Sequence, residues 1–93
     1  MNTQSFIRPA RCTEQSVNAE LEAQGFNLYI GYGPASGTTN PGGWGFCIHA
    51  NDYEGACHTL GRGFETARKV AGYIATHIDE LSSSADRIGE RNI

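Results

Sequence analysis

Apolar and polar residues follow two different periods along this chain, one in its middle and one near its end. Between residues 26 and 60 apolar side chains recur at every second position, as in Phe26, Leu28 and Ile30, which predicts strands with one buried face. Between residues 67 and 88 they recur at alternating intervals of four and three, which predicts an amphipathic helix. The two patterns together predict an α+β domain.

The sheet is predicted to be a three-stranded antiparallel meander, packed against a long C-terminal helix. The glycine- and proline-rich stretch 33–43 predicts a long loop after the first strand. Trp44 alternates with Phe46 and Ile48, so all three are expected in the core. The pair Asn51-Asp52 predicts a two-residue turn. We therefore expect strands over residues 26–32, 44–50 and 53–60.

Two helices are predicted, each with a threonine as its N-cap. A short one begins after Thr13, ends near Gly25 and carries a narrow apolar stripe. The long one begins after Thr66 and runs to residue 88, with a break at Ser82–Ser84 as the alternative. Its core face is predicted to consist of Ala67, Ala71, Ile74, Ile78, Leu81, Ala85 and Ile88.

The long helix and the strands differ in length, and this difference predicts an uncovered helix end. A strand of seven residues spans roughly 23 Å, whereas a helix of 22 residues spans roughly 33 Å. Leu81, Ala85 and Ile88 would then extend past the sheet and need a cover. Either the first helix supplies it, or a second copy of the chain does so in a homodimer, or another protein does.

Size, charge and cysteine content narrow the class of protein. The 93 residues can support one core, so we expect a single domain over residues 13–93 and a flexible arm over residues 1–12. With 10 acidic and 7 basic side chains the formal charge is −3, so direct nucleic-acid binding is not expected. No apolar run approaches the ~20 residues that a membrane span needs. These features, and an odd number of cysteines, predict a cytoplasmic protein.

The length of the predicted turn determines whether Cys47 and Cys57 can form a disulfide. With a two-residue turn at Asn51-Asp52, Cys47 and Cys57 lie on opposite faces of the sheet and cannot form a disulfide. A three-residue loop would make them direct partners, and this alternative stays open.

One set of residues could support chemistry. Cys47, His49 and His58 share the predicted open face of the sheet, and a thiolate with two imidazoles suits zinc. A small metal- or ligand-binding enzyme is therefore an alternative function. The predicted turn, however, places His58 across from Gly45, and Glu54 is the one further candidate ligand. The main prediction is a protein without catalytic residues, metal or cofactor.

Part of the chain resembles the opening half of the ribonuclease H fold. The resemblance rests on the segments Leu28-Tyr29-Ile30 and Asn40-Pro41-Gly42-Gly43-Trp44-Gly45-Phe46, followed by a further strand and a helix. In that family the first strand supplies a metal-binding aspartate, but Gly31 and Tyr32 stand at the matching positions, and Glu65 alone matches the helix carboxylate. Two-metal hydrolysis needs a cluster of carboxylates. The resemblance therefore implies a shape and no nuclease activity.

The predicted plan of the chain, a small acidic α+β domain without catalytic residues, resembles the small inhibitors that phages and mobile elements encode, including the anti-CRISPR proteins. This resemblance implies a stoichiometric, non-enzymatic inhibitor of a host defence nuclease complex, with a protein or ribonucleoprotein as partner. The expected contacts lie on the open sheet face, on the long loop and on the acidic end of the helix, because aromatic and polar groups anchor interfaces. They are Tyr29, Thr38, Asn40, His49, Glu54, His58, Asp79, Glu80 and Asp86.

Overall fold

Helices cover one face of a three-stranded antiparallel sheet in the computed structural model of the chain, which describes residues 5–34 and 44–90. The strands lie in the order β1-β2-β3, so the predicted α+β class and the meander are confirmed. In chain order the elements are α1 (Glu14–Ala23), β1 (Tyr29–Pro34), β2 (Trp44–Asn51), β3 (Cys57–Phe64), α2 (Ala67–Thr76) and α3 (Ile78–Gly89).

Helix α1 begins and ends where its capping residues predict. The Thr13 hydroxyl accepts the backbone N–H of Ser16 at 3.1 Å, and the Ser16 hydroxyl accepts that of Thr13 at 2.8 Å. After the helix, Gly25 has a φ of 85°, a left-handed conformation that glycine adopts without strain. The narrow apolar stripe, Val17 and Leu21, is completely buried. This confirms the predicted short helix.

The predicted long C-terminal helix is divided into α2 and α3 at His77, and not at the serines. The predicted N-cap is confirmed, since the Thr66 hydroxyl accepts the Lys69 N–H at 3.1 Å. Dividing the helix places Asp79 and Glu80 in the first turn of α3, where the macrodipole favours negative charge. In an undivided helix both carboxylates would lie in the interior, where that interaction is absent.

The same division removes the predicted overhang. Leu81 and Ala85 are buried members of the core, and Ile88 packs against it half-buried. The helix is interrupted at His77, and both α2 and α3 contact β2. Two of the three residues predicted to need a cover, Leu81 and Ala85, are therefore buried within a single chain.

The register between β2 and β3 differs from the prediction. Asn51 pairs with Cys57 and Ala50 pairs with His58, so the connection is a five-residue loop and β3 ends at Phe64, four residues later than predicted. The two-residue turn is wrong because Asp52 builds a longer loop. One carboxylate oxygen of Asp52 accepts the backbone N–H groups of residues 54 and 56, both at 2.9 Å. The other carboxylate oxygen accepts the Nε2–H of His58 at 2.9 Å.

This register also corrects the expected positions of the cysteines. Cys57 lies opposite Asn51, which shares the open face with Cys47 through the alternation of β2. The two thiols thus lie on the same face, separated along the strand by roughly 13 Å, which is the length of four residues. Cys47 is buried, Cys57 is exposed, and both are free. Neither the opposite-face prediction nor the direct pairing is correct.

The segment before α1 is held on the domain by Phe6 and by the backbone of Ile7. Phe6, within the predicted flexible arm, is 5 % exposed and meets Phe26 edge-on at 6.3 Å between ring centroids. The backbone of Ile7 exchanges two hydrogen bonds of 3.2 Å with the Gln24 side chain. The core therefore extends past the predicted boundary at residue 13.

Helix α1 is also attached to the edge of the sheet. The Asn18 side-chain amide accepts the N–H of Ile30 at 2.7 Å and donates to its carbonyl at 3.0 Å. One side chain thereby satisfies both backbone groups that Ile30 directs away from β2. Because both backbone groups of Ile30 are already hydrogen-bonded, another strand cannot pair with this part of the edge of β1.

We expect Phe6→Ala to lower the free energy of unfolding by about 3 kcal/mol, because it removes a buried aromatic ring from the core. The matched control is Ile7→Ala, since Ile7 is 72 % exposed and should change stability by less than about 0.5 kcal/mol. Urea denaturation of the three proteins measures both values. If Phe6→Ala lowered the free energy of unfolding as little as Ile7→Ala does, the Phe6 side chain would contribute nothing to the core.

We expect the Asp52 loop to make stability depend on pH in the acid range. The hydrogen bond from His58, with the N–H groups of Ala56 and Glu54, holds the pKa of Asp52 below its usual value. Its contribution is therefore complete above the unfolded-state pKa of about 3.9 and is lost as the pH falls through the lower folded-state value.

Thermal melts of Asp52→Asn test this expectation. Its melting temperature should lie below that of the wild type at pH 7, and the difference should shrink as the pH falls below 4. Glu54→Gln is the control, because it removes a carboxylate from the same loop while the backbone N–H bonded to Asp52 remains. A constant difference between Asp52→Asn and the wild type at all pH values would contradict the assignment.

Candidate functional site

The residues predicted as partner contacts do not form one surface. Tyr29 and His49 lie together on the open sheet face, with ring centroids 5.2 Å apart. Glu54 lies in the β2–β3 loop, and His58, opposite Ala50, lies on the other face of the sheet. The acidic residues Asp79, Glu80 and Asp86 are exposed on α3, and Thr38 and Asn40 lie outside the described residues.

The predicted zinc ligands are likewise not brought together. Cys47 and His49 share one face of β2, but His58 points from the opposite face of β3 and pairs with Asp52. Within residues 5–34 and 44–90, no three His, Cys, Asp or Glu side chains are grouped so that they could hold a metal ion. Cys47, His49 and His58 therefore do not meet in one zinc site.

A continuous set of aromatic side chains lies on the helix-side face instead, at the end of the sheet away from the Asp52 loop. We call Tyr32, Trp44, Phe46, Phe64 and Tyr73 the aromatic surface. Tyr32 is opposite Phe46, which is opposite Phe64, so one ring from each strand forms a row across the sheet. The centroids of Tyr32 and Phe46 lie 5.1 Å apart, and Tyr73 reaches Phe64 from α2 at 5.0 Å.

Trp44 completes this surface at its most exposed end. Its ring stacks on Tyr32 at 5.9 Å with an interplanar angle of 27°. Trp44 is 58 % exposed and Tyr32 is 56 % exposed, although both share the face of the buried Ile30 and Ile48. The helices cover the isoleucines but do not extend over this corner of the sheet.

The predicted core position of Trp44 is therefore wrong. Alternation with Phe46 and Ile48 correctly assigns Trp44 to the helix-side face, but the face of a strand is covered only where another layer reaches it. One sequence signal pointed to this result, because Trp44 directly follows the long glycine-rich loop and so stands at the end of its strand.

The opposite, open face of the sheet carries a shallow cavity of about 350 Å³. Its floor includes Gly31, Gly33 and the buried Cys47, and its rim includes His49, Thr59 and Arg62. The His49 Nδ1 lies 3.2 Å from the Thr59 hydroxyl oxygen. Burial, with the nearby positive charge of Arg62, lowers the pKa of His49. The imidazole is therefore neutral at pH 7.

Beside this cavity, Tyr29 joins β1 to both other strands. Its hydroxyl donates to the Asn51 side-chain oxygen at 3.3 Å. A hydrogen bond with Cys57, together with burial, raises the pKa of Tyr29. The phenol consequently stays neutral at physiological pH and acts as a polar, uncharged part of the open face.

The described geometry thus offers two distinct surfaces, one aromatic and one polar, on opposite faces of the sheet. Among the helices described, none combines the length and the apolar character that crossing a membrane requires. The chain matches no protein-family model, and neither a curated protein nor a solved structure is significantly similar to it.

Proposed function

We propose that this chain is a non-enzymatic protein-binding module and that the aromatic surface is its main contact. The observation that carries the proposal is the stacked pair of Trp44 and Tyr32, each more than half exposed. Leaving two adjacent large aromatic rings in water forgoes the gain of burying them. Tryptophan and tyrosine are also the residues most enriched among those that dominate binding energy.

The size of the aromatic surface indicates that it would form only part of an interface. A fully buried aromatic side chain covers about 150–250 Å², so the two half-exposed rings offer roughly 200 Å² to a partner. A stable interface buries about 800 Å² on each side. The rings therefore suit the centre of a larger interface, in which a partner protein receives Trp44 in an apolar pocket and surrounds it with a wider rim.

The charge of the chain supports a basic partner. The formal charge is −3, and Asp79, Glu80, Asp86 and Glu90 are exposed on and just after α3. Proteins that bind nucleic acid carry positive surfaces that neutralise phosphates. An acidic module is attracted to such surfaces over a range set by the ionic strength.

The sharper form of the proposal is a stoichiometric inhibitor of a host defence nuclease complex, as the anti-CRISPR proteins are. Its support is the resemblance of the overall plan, namely a small acidic α+β domain, together with the exposed rings and the acidic α3. Such an inhibitor acts by occupying a surface of the complex in the host cytoplasm. It needs no catalytic residues of its own.

The proposal predicts that Trp44→Ala weakens partner binding by at least about 30-fold, which corresponds to about 2 kcal/mol. The matched control is Tyr53→Ala, because Tyr53 is 57 % exposed but lies in the β2–β3 loop, away from the aromatic surface. Binding to the purified host nuclease complex is measured by calorimetry. Both variants should fold, since both side chains are largely exposed.

The biological measurement is phage plating on a host with active CRISPR immunity that expresses the chain. The wild type and Tyr53→Ala should restore plating, and Trp44→Ala should not. Failure of the wild type to restore plating or to bind the complex would overturn the inhibitor proposal. Full activity of Trp44→Ala would overturn the role of the aromatic surface.

A further inference from the structure

We propose that the cavity on the open face of the sheet is a binding site for an oxyanion group, either a phosphate-type anion or a carboxylate. It lies on the face opposite the aromatic surface, so the inference does not depend on the proposed function. The cavity combines a glycine-rich floor, polar side chains at its rim and an arginine that forms no salt bridge with any residue that the structure describes.

The floor of the cavity is open because glycines form part of it. Gly31 and Gly33 lie on β1 and belong to this face. Cys47 lies opposite Gly31 on β2, and its side chain is buried. Longer side chains at the two glycines would stand up from the pleated sheet and fill the cavity. Without them, a ligand of a few atoms can approach the sheet closely.

His49 directs its Nε2 atom toward this floor. Its Nδ1 contacts the Thr59 hydroxyl oxygen at 3.2 Å, and when that hydroxyl donates, the remaining ring proton is on Nε2. The Nε2 atom lies on the side of Gly31, 3.6 Å from the point that a Cβ would occupy there. In that tautomer the neutral ring presents an N–H to the glycine end of the cavity.

Arg62 supplies the charge. It is exposed at the rim and, in the part of the chain that the structure describes, forms no salt bridge. A guanidinium offers planar, paired donors that match the oxygens of phosphate or carboxylate.

The charged and titratable groups around His49 determine how binding depends on pH. Tyr29 faces it from β1 as a neutral phenol, Cys47 stands two residues away on β2, and Arg62 faces it from β3. Burial and the positive charge of Arg62 both oppose protonation of His49 and lower its pKa. A bound oxyanion reverses this effect, so its affinity should rise as the pH falls through the pKa of His49.

The test follows the His49 imidazole by NMR during pH titrations of the intact protein. Saturating sulfate, the probe for phosphate-type anions, should raise the pKa of His49 by about one unit, which means about tenfold tighter binding to the protonated form. Acetate is the probe for a carboxylate. Sodium chloride at equal ionic strength controls for screening.

Arg62→Gln provides the decisive comparison. Without sulfate this variant should show a higher His49 pKa than the wild type, because a repelling charge is gone, and sulfate should then cause little further rise. Arg87→Gln is the matched control, since Arg87 lies in the last turn of α3, and it should respond as the wild type does.

A saturable response to sulfate, to acetate or to both supports the site and identifies which oxyanion it takes. A response no larger than that to sodium chloride would show screening and overturn the proposal. An undiminished response in Arg62→Gln would mean an adventitious ion only. The NMR spectra of each variant also report whether its fold is intact.

Discussion

Burial of the helix-side face of β2 is the constraint on which the rest of the structure depends. This central strand places Ile48 and Ala50 completely out of water, between β1 and β3 and beneath α2 and α3. A sheet of three strands has a single central strand, so few positions are covered on all sides. The division of the C-terminal helix at His77 serves this burial, since both α2 and α3 contact β2.

The two faces of the sheet differ because small and large residues alternate along β1 and β2. On β1, Gly31 and Gly33 point to the open face while Ile30 and Tyr32 point to the helices. Because glycines lie on the open face, that face has room for a cavity. The aromatic rings lie on the helix-side face. Gly45 has an additional reason to be glycine, since a Cβ there would come within 2.9 Å of the Phe64 carbonyl oxygen. Close approach of β2 and β3 at their bulged end thus excludes a side chain.

The helices and their core faces could be predicted because their signals are local. Thr13 and Thr66 cap the N-termini as expected, and the stripe from Ala67 to Ala85 is buried as its spacing indicates. The candidate site was harder to predict, because exposure depends on where neighbouring layers end. Trp44 has the same face and the same periodicity as Ile48, yet only the isoleucine lies beneath a helix.

The amino-acid sequence by itself determined the class of fold, the starts of α1 and α2 and the faces to which the residues of β1 and β2 point, since all of these follow from backbone periodicity and local capping. The tertiary structure alone decided the register of β3, the division of the C-terminal helix and the exposure of Trp44. It also decided that His49 and Arg62 share a cavity while His58 faces away. These features depend on contacts between distant segments, such as the Asp52 loop with His58 or α3 with β2, whose energies no local pattern reports.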